Sequence, residues 1–199
     1  MIAPQGRVVL VRHGETEWSR VDKHTGRTDL PLTAAGEAKA KAVGAALQAL
    51  GLRDPLVLAS PRKRAIRTAE VAGFPVRRVW DDLAEWDYGD YEGLTTPQIR
   101  ERAPHWTVWT HPCPGGESAE SVQSRADTVI DVANAQLAEH DVLFFGHGHF
   151  SRVLTARWIS LPVAEGRRFA LGPASYTVLG FEHEKAQVIC ANVTCGPSA

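Results

Sequence analysis

The stretch VVLVRHG, residues 8–14, decides the fold class of this chain. Four apolar residues in a row, most of them β-branched, are typical of a strand that is buried on both faces. That strand runs directly into an arginine, a histidine and a glycine. The pattern returns at VLFFGHG, residues 142–148, where an apolar run again ends in a histidine beside glycine. Two buried strands that end in polar residues indicate an α/β protein with a ligand site at the strand ends.

The rest of the chain alternates short apolar runs with helical patterns. We predict strands at residues 7–11, 56–59, 76–79, 142–145, 176–181 and 187–192. Apolar residues at helical spacing predict helices around residues 40–50, 65–72 and 122–137. This alternation favours a three-layer α/β/α sandwich with a mainly parallel sheet. The last two strands are separated only by residues 182–185, which predicts an antiparallel hairpin at one edge.

Helix boundaries are indicated by capping residues. Side chains that favour the N-cap position stand before the three helical patterns, at Thr33, Ser60 and Ser118. Pro61 would then take the first position of the second helix. Gly51 and Gly73 stand where helices are expected to end.

Composition indicates an ordinary globular protein. The chain has 199 residues, of which 44% are hydrophobic and 23% charged, enough for one sizeable core. We therefore predict a single domain over residues 1–199. The formal net charge is −1, with 22 basic and 23 acidic residues, so we expect neither nucleic acid nor a membrane as partner.

The chain carries no recognisable targeting signal or cysteine motif. No segment approaches the roughly 18 consecutive apolar residues of a membrane helix, and residues 1–7 lack the features of a signal peptide. A cytoplasmic protein is expected. The three cysteines, Cys113, Cys190 and Cys195, form no C-x-x-C pair, so we interpret them as incidental or buried thiols.

Residues 80–117 form an aromatic-rich stretch with weak periodicity, which we name the covering segment. It contains Trp80, Trp86, Tyr88, Tyr91, Trp106 and Trp109. A long connection of this kind in a compact domain is more often a binding loop than a linker. It could equally be an irregular subdomain packed over the sheet, and the two interpretations are compatible.

Three predicted parallel strands end in polar residues, at 12–14, 60–64 and 146–148. If these strands are neighbours, their ends bring two histidines and several arginines into one crevice. Such a concentration of positive charge is unfavourable unless an anion neutralises it. The glycines Gly14 and Gly148 would let the backbone approach a ligand closely. The crevice is therefore a predicted phosphate site.

Each of these residues also has a structural interpretation. A single histidine at a strand end is more often structural than catalytic. Arg62 and Arg67 fit the solvated face of a helix, and we favour that interpretation for both. Two matched histidine–glycine strand ends with an arginine-bearing helix start nevertheless favour function.

At these residues the chain resembles the histidine phosphatase superfamily, which includes cofactor-dependent phosphoglycerate mutases. The resemblance runs, in the expected order, through VRHGETEW (11–18), TGRTDLPLTAAG (25–36), SPRKRAIRTA (60–69), LAEWDYG (83–89) and GHG (146–148). It covers most of the chain, and all five motifs together are specific. It implies the phosphoglycerate mutase-like fold.

The resemblance implies a role for each matching residue. His13 is the nucleophile that is transiently phosphorylated, while Arg12, Arg64 and His147 hold the phosphoryl oxygens. Glu85 is the general acid and then the base that activates water. The substrate-binding positions implied are Ser19, Thr25, Gly26 and Gly148.

Three of these assignments depend on the resemblance more than on spacing. By spacing alone either Arg62 or Arg64 could reach a phosphate, and the family pattern selects Arg64. Several other acids lie in the same loop as Glu85, and only the motif context distinguishes Glu85 from them. An aromatic, partly buried setting could keep its carboxyl group protonated at mildly acidic pH. Ser19 stands where the mutase pattern has asparagine, and its hydroxyl group is still a donor.

The superfamily hosts phosphatases and mutases, so the core motifs do not separate them. The covering segment has eight acids against two bases, Asp81, Asp82, Glu85, Asp87, Asp90, Glu92, Glu101 and Glu117 against Arg100 and Arg102. This excess would repel a bisphosphate and suits a less anionic, partly apolar monophosphate. We therefore predict a metal-independent phosphomonoester phosphatase with an acidic optimum, the mutase being the alternative.

Two further classes remain open. The H-x-H pair at His147 and His149 resembles metal ligand pairs and allows a metal-dependent hydrolase, although Arg12 and Arg64 suit a dication poorly. For His149 we favour an exposed position at the start of the next helix over a pocket-lining one. A non-catalytic module that binds phospholigands is disfavoured because His13 and Glu85 are both present. We expect a small phosphorylated substrate, no cofactor and no metal; the oligomeric state is open, a homodimer included.

Overall fold

The computed structural model describes residues 6–196. Residues 1–5, part of the stretch predicted to lack a signal peptide, lie outside the described residues, as do 197–199. Six strands form one sheet in the order β3-β2-β4-β1-β5-β6. Their bounds are β1 Val8–Arg12, β2 Leu56–Ala59, β3 Arg78–Val79, β4 Val142–Gly146, β5 Ser175–Glu182 and β6 Lys185–Thr194.

The sheet is mainly parallel with an antiparallel edge, as predicted. Strands β1 and β2 flank β4 and both run parallel to it, and β3 pairs in parallel with β2. Strand β5 is antiparallel to β1, and β6 is antiparallel to β5. The β5–β6 hairpin turns at His183 and Glu184, both of which have positive φ, as two-residue hairpin turns of the I′ type require.

Five α-helices complete the described part of the fold: α1 Ala34–Ala49, α2 Lys63–Val71, α3 Thr96–Arg100, α4 Ala119–Gln136 and α5 Gly148–Trp158. Val9 and Val11 of β1 pack in one core with α1 and α2. Val8 and Leu10 point to the other face and pack with α4 and α5. This alternation along a strand creates two cores on one sheet, and the predicted three-layer α/β/α sandwich is confirmed. Across residues 6–196 no helix has both the length and the hydrophobicity to cross a membrane.

Two of the predicted N-caps are confirmed and one is wrong. Thr33 accepts a hydrogen bond from the Gly36 N–H and Ser118 from the Ser121 N–H. Helix α2, however, begins at Lys63 with Arg62 in the cap position, so Pro61 precedes the helix. The Ser60 hydroxyl lies instead 2.6 Å from Nε2 of His147, because a buried imidazole competes for it.

The predicted helix ends and most strands are confirmed. Gly51 and Gly73 follow α1 and α2 with φ values of 58° and 80°. Strand β3, predicted over residues 76–79, is only two residues long. It pairs with Leu58 and Ala59 of β2, and just before it the Arg77 N–H donates to the Val57 carbonyl over 2.9 Å.

The covering segment is a packed layer and not an open loop. It contains α3 and short 3₁₀ turns at Asp81–Leu83 and Gly89–Tyr91. Trp86 and Trp106 are both 1% exposed and belong to the same core as α4 and α5. The second of the two compatible interpretations, a subdomain packed against the sheet, therefore describes this segment.

Candidate active site

The register of β1 and β4 brings the two strand-end histidines together. Arg12 lies opposite Gly146, and the His13 N–H donates to the Gly146 carbonyl over 2.9 Å. The imidazole rings of His13 and His147 lie edge to face with centroids 5.2 Å apart. The predicted convergence of these strand ends is observed.

His13 is held as a neutral imidazole with a defined tautomer. Its Nδ1 lies 2.7 Å from the Gly14 carbonyl oxygen, which can only accept, so Nδ1 carries the proton and Nε2 keeps its lone pair. Burial, reinforced by the guanidinium groups of Arg64 and Arg12, holds the pKa of His13 well below 6.5. The imidazole is therefore neutral and presents an unprotonated nitrogen to the cavity.

His147 is oriented as a hydrogen-bond donor. Ser60 Oγ has two partners, the Arg62 N–H and Nε2 of His147, and only Nε2 can accept the hydroxyl proton. The proton of the neutral ring then lies on Nδ1. That nitrogen is buried and has no partner among the residues that the structure describes. Burial and the nearby cations also lower the pKa of His147 well below 6.5.

Arg12 and Arg64 are both held by backbone carbonyl groups. Arg12 donates from Nη1 to the Leu171 carbonyl over 2.7 Å. Arg64 is 0% exposed and donates to the carbonyl groups of Thr28, Thr25 and Gly26. In each guanidinium Nε is buried and has no partner within residues 6–196. Burial lowers the pKa of both arginines, yet both stay charged near neutrality.

Arg62 departs from its predicted position on a solvated helix face. It is half-buried, and its Nε is a fourth buried nitrogen without a partner in the described part of the chain. Its backbone position as the cap of α2 directs it toward a second cavity, which Glu85 also lines. Arg67, in contrast, is exposed and pairs with Glu37 and Glu70, as expected for a helix face.

Glu85 is fixed at the N-terminus of α5. Its Oε1 accepts the N–H groups of Trp86 and Phe150, and its Oε2 accepts the N–H of His149. These bonds combine with the positive end of the helix dipole, so the carboxylate is anchored more by backbone than by aromatic side chains. The aromatic setting expected from the sequence is therefore only part of its environment. Oε1 thus accepts two backbone N–H groups and Oε2 accepts one.

Arg12, His13 and Glu85 open onto a cavity of about 450 Å³. Ser19, Thr25 and Gly148 line it, as predicted for substrate-binding positions. Arg64 and His147 are fully buried at the site. The cavity is lined by Arg12, His13, Ser19, Asp22, Lys23, His24, Thr25, Glu85, Tyr88, Thr96, Pro97, Gly148, His149, Arg152 and Leu171.

Sequence comparison decides the family. The model of the histidine phosphatase superfamily (branch 1) matches residues 8–194. The chain belongs to this superfamily. It is 51% identical over 191 residues to an acid phosphatase of Mycobacterium tuberculosis. The aligned region covers 96% of this chain and 94% of the relative.

Two further comparisons bear on the branch of the superfamily. The solved structure of an open reading frame product of Mycobacterium tuberculosis superimposes with a TM-score of 0.94 at 51% identity, covering 95% of this chain and 98% of that one. A 2,3-bisphosphoglycerate-dependent phosphoglycerate mutase of Methylobacterium sp. is 35% identical over 161 residues, covering 74% of this chain and 77% of the relative.

Two glycine positions of this histidine phosphatase lie behind the cavity, and Ser19, which lines it, uses its hydroxyl group within the protein. Gly26 is not among the lining residues; its N–H donates to the carboxylate of Glu92, and a Cβ there would lie 2.7 Å from the Trp86 carbonyl. Gly14 approaches another backbone segment and not a ligand, since a Cβ would lie 2.6 Å from the Gly36 carbonyl. Ser19 uses its hydroxyl to bridge the N–H and carbonyl of Thr16.

Gly148 has a direct steric role. A Cβ at this position would lie 3.2 Å from Cζ and 3.3 Å from Nε of Arg12. The absence of a side chain therefore lets the first residue of α5 lie against the guanidinium of Arg12.

The outer wall of the cavity contains residues that the sequence patterns did not predict. His149 is half-buried, and its Nδ1 lies 2.6 Å from the Tyr88 hydroxyl, so the expectation of an exposed His149 is wrong. The ring of His24 stacks parallel to that of His149, with the ring centroids 5.9 Å apart. Arg152 follows three positions later on α5, and this i, i+3 spacing in the sequence could have placed both side chains on one helix face.

The H-x-H pair of this histidine phosphatase does not converge. His147 bonds to Ser60 and His149 to Tyr88, so the two rings have different partners. In the part of the chain that the structure describes, no group of three or more histidine, cysteine or acidic side chains is arranged to hold a metal ion.

Proposed function

We propose that this protein is a phosphomonoester phosphatase that acts without a metal ion and forms a phosphohistidine on His13. The observation that carries the proposal is the set of buried nitrogens around His13 without partners in the described chain: Nε of Arg12, Nε of Arg64 and Nδ1 of His147. Buried donors of this kind need acceptors, and a phosphoryl group supplies three oxygens at one place. The 51% identity to an acid phosphatase over nearly all of both chains supports the same conclusion.

In the first step Nε2 of His13 attacks phosphorus. An N–P bond forms, the P–O bond to the leaving alcohol breaks, and the electron pair goes to the leaving oxygen. Arg12, Arg64 and His147 stabilise the negative charge on the phosphoryl oxygens. Glu85, through Oε2, supplies the proton that the leaving oxygen needs.

In the second step water attacks the phosphorus of phosphohistidine. The N–P bond breaks, and Nε2 of His13 regains its lone pair. Glu85, now a carboxylate, accepts the proton of the attacking water and returns to its initial state. Inorganic phosphate leaves, and the same donors can bind the next phosphoryl group.

The acidic optimum predicted from the sequence is compatible with the protonation state of His13. A protonated His13 cannot attack, but its pKa is held well below 6.5. The nucleophile therefore stays unprotonated in mildly acidic solution, so acid of that strength does not block the first step.

The test is hydrolysis of an aryl phosphate by the wild type and His13→Ala in the presence of a chelator. We expect metal-independent turnover that falls by at least about 1,000-fold in the variant. Activity that survives the substitution would contradict the phosphohistidine intermediate. Loss with chelator and recovery with zinc or manganese would support a metal-dependent hydrolase instead.

The wild type and His13→Ala also distinguish a phosphatase from a binding module and from a mutase. A non-catalytic binding module would show no turnover, and its His13→Ala variant would retain phospholigand. A mutase would transfer the phosphoryl group between positions of phosphoglycerate at a rate well above phosphate release. Three expectations remain predictions from the sequence: a small phosphorylated substrate, a cytoplasmic location and a single domain over residues 1–199. The oligomeric state, a homodimer included, stays open.

A further inference from the structure

Arg152 of α5 is a rigidly held cation in the wall of the active-site cavity. Its Nε donates to the Gly166 carbonyl over 3.1 Å and its Nη2 to the Arg167 carbonyl over 3.2 Å. The guanidinium lies over the ring of Trp109, 4.6 Å from the centroid. These contacts use one edge and one face of the guanidinium, and the hydrogen bonds leave Nη1 free to bind another group.

Gly166 makes this arrangement possible. A Cβ there would lie 2.5 Å from Cζ3 of Trp109 and 3.2 Å from the Arg152 carbonyl. The missing side chain lets the indole lie beneath the guanidinium while the same residue's carbonyl accepts from Nε. Arg152 is therefore oriented before any ligand binds, which reduces the entropy lost on binding.

No carboxylate of the described residues forms an ion pair with Arg152. Among the described residues, Arg12, Lys23 and Arg152 of the cavity make no ion pair within 4.0 Å. The cavity wall carries these three cations against two acids, Asp22 and Glu85. A partly buried cation without a counterion favours binding of an anion.

The acidic covering segment does not oppose such an anion, contrary to the expectation from its charge count. Of its eight acids only Glu85 lines this cavity. Asp87 pairs with Arg27, and Glu117 pairs with Arg125. Glu92 accepts the N–H groups of the loop at 26–28. Three of the other seven acids thus have partners outside this cavity, and none of the seven lines it, so the number of acids does not describe the potential inside the cavity.

We propose that Arg152 binds a second anionic group, a carboxylate or a phosphate, on the leaving group of the substrate. This rests on the proposed phosphatase activity and identifies its substrate class: small phosphomonoesters with a further negative charge. Arg12 lies with His13 at the reacting phosphoryl group, whereas Arg152 contacts the part of the substrate that leaves. The guanidinium fork suits both candidate anions.

The test compares substrates that differ in one charged group. 3-Phosphoglycerate is compared with glycerol 3-phosphate for the carboxylate, and fructose 1,6-bisphosphate with fructose 6-phosphate for the phosphate. For the anion that Arg152 binds, we expect wild-type kcat/KM to favour the more anionic member by about tenfold or more, corresponding to about 1.4 kcal/mol. In Arg152→Gln this ratio should fall to about two or less, because the variant lacks the cation that binds the additional anionic group of the substrate.

Arg157→Gln is the matched control. Arg157 lies on the same helix, bonds to the Leu161 carbonyl and pairs with Asp127, but it does not line the cavity. Its variant should keep the substrate ratio. Arg152→Lys keeps the charge without the fork and should give an intermediate ratio, which supplies a second measurement if Arg152→Gln does not fold.

A wild type without preference in either pair would overturn the inference. So would an Arg152→Gln enzyme that loses activity equally on both members of each pair, because Arg152 would then only join α5 to residues 163–168. Neither result affects the proposed function. That function fails only if aryl phosphate hydrolysis survives His13→Ala or is absent from the wild type.

Discussion

The imidazoles of His13 and His147 lie edge to face with their centroids 5.2 Å apart, with a proton-free Nε2 on His13 and an Nδ1–H on His147 that has no partner within residues 6–196. The Gly14 carbonyl and the Ser60 hydroxyl set these opposite roles. Burial and the guanidinium groups of Arg64 and Arg12 keep both rings neutral. Under the proposed function, one residue type thus supplies a nucleophile and a donor at the same phosphoryl group.

This neutrality predicts how stability depends on pH. In the folded protein the pKa values of His13, His24, His147 and His149 lie below 6.5, mainly because of burial. In the unfolded chain they return to about 6.5. Below that pH the unfolded chain therefore binds more protons, so the histidine contribution is complete above about pH 6.5 and is lost as the pH falls through the folded pKa values.

Urea unfolding between about pH 8 and 5 measures this dependence. We expect the free energy of unfolding to decrease from about pH 6.5 downward. The pKa of Asp141 is lowered from 3.8, because the effect of desolvation is outweighed by hydrogen bonds from Arg7 and Arg53. Asp141 therefore adds a further loss of stability only at still lower pH. A free energy that is constant between about pH 7 and 5 would contradict neutral buried imidazoles.

Replacing Glu85 by glutamine should affect substrates according to their leaving groups. The amide oxygen can still accept the Trp86 and Phe150 N–H groups, but the side chain can no longer exchange a proton. We expect kcat/KM for alkyl phosphates to fall by about 100-fold or more, and less for nitrophenyl phosphate, whose leaving oxygen needs little protonation.

Glu92→Gln provides the control for Glu85→Gln. Glu92 also accepts backbone N–H groups, those of Gly26 and Thr28, but it does not line the cavity. Its replacement should change both substrates by the same factor. An equal loss on alkyl and aryl phosphates in Glu85→Gln would argue against general acid catalysis by this residue.

Arg64→Gln should reduce both stability and turnover. The side chain is fully buried and donates to the carbonyls of Thr25, Gly26 and Thr28, which glutamine cannot satisfy together. Loss of these bonds is expected to lower the free energy of unfolding by about 2–4 kcal/mol. Arg67→Gln, an exposed position on the same helix, should leave the urea midpoint nearly unchanged. Equal midpoints for the two variants would show that the Arg64 contacts are not stabilising.

Gly148→Ala should lower activity with little change in stability. The added methyl group would press on the Arg12 guanidinium at 3.2 Å and shift it by a few tenths of an ångström. A displacement of this size in a side chain proposed to hold the phosphoryl oxygens is expected to reduce kcat/KM roughly tenfold. Gly172→Ala is the matched control, because its Cβ would meet side-chain atoms only at 3.6 Å or beyond. Unchanged kinetics in Gly148→Ala would mean that Arg12 tolerates displacement.

Much of the fold could be predicted because its signals are local. The apolar runs 8–11 and 142–145 determine buried strands, and strand periodicity then assigns their residues to two cores. Thr33 and Ser118 cap helices through bonds to residues three positions away, so the chain itself contains both partners. Ser60 could not be assigned in this way, since its partner His147 is 87 positions distant.

The sequence by itself determined the α/β sandwich and the histidine–glycine strand ends, because apolar periodicity and parallel strand order suffice for both. Only the tertiary structure decided where individual charges point. It turned Asp87 and Glu117 toward Arg27 and Arg125, and it placed His149 and Arg152 in the cavity wall. A side chain's direction depends on partners that lie far away along the chain, and a count of charges along one segment contains no information about them.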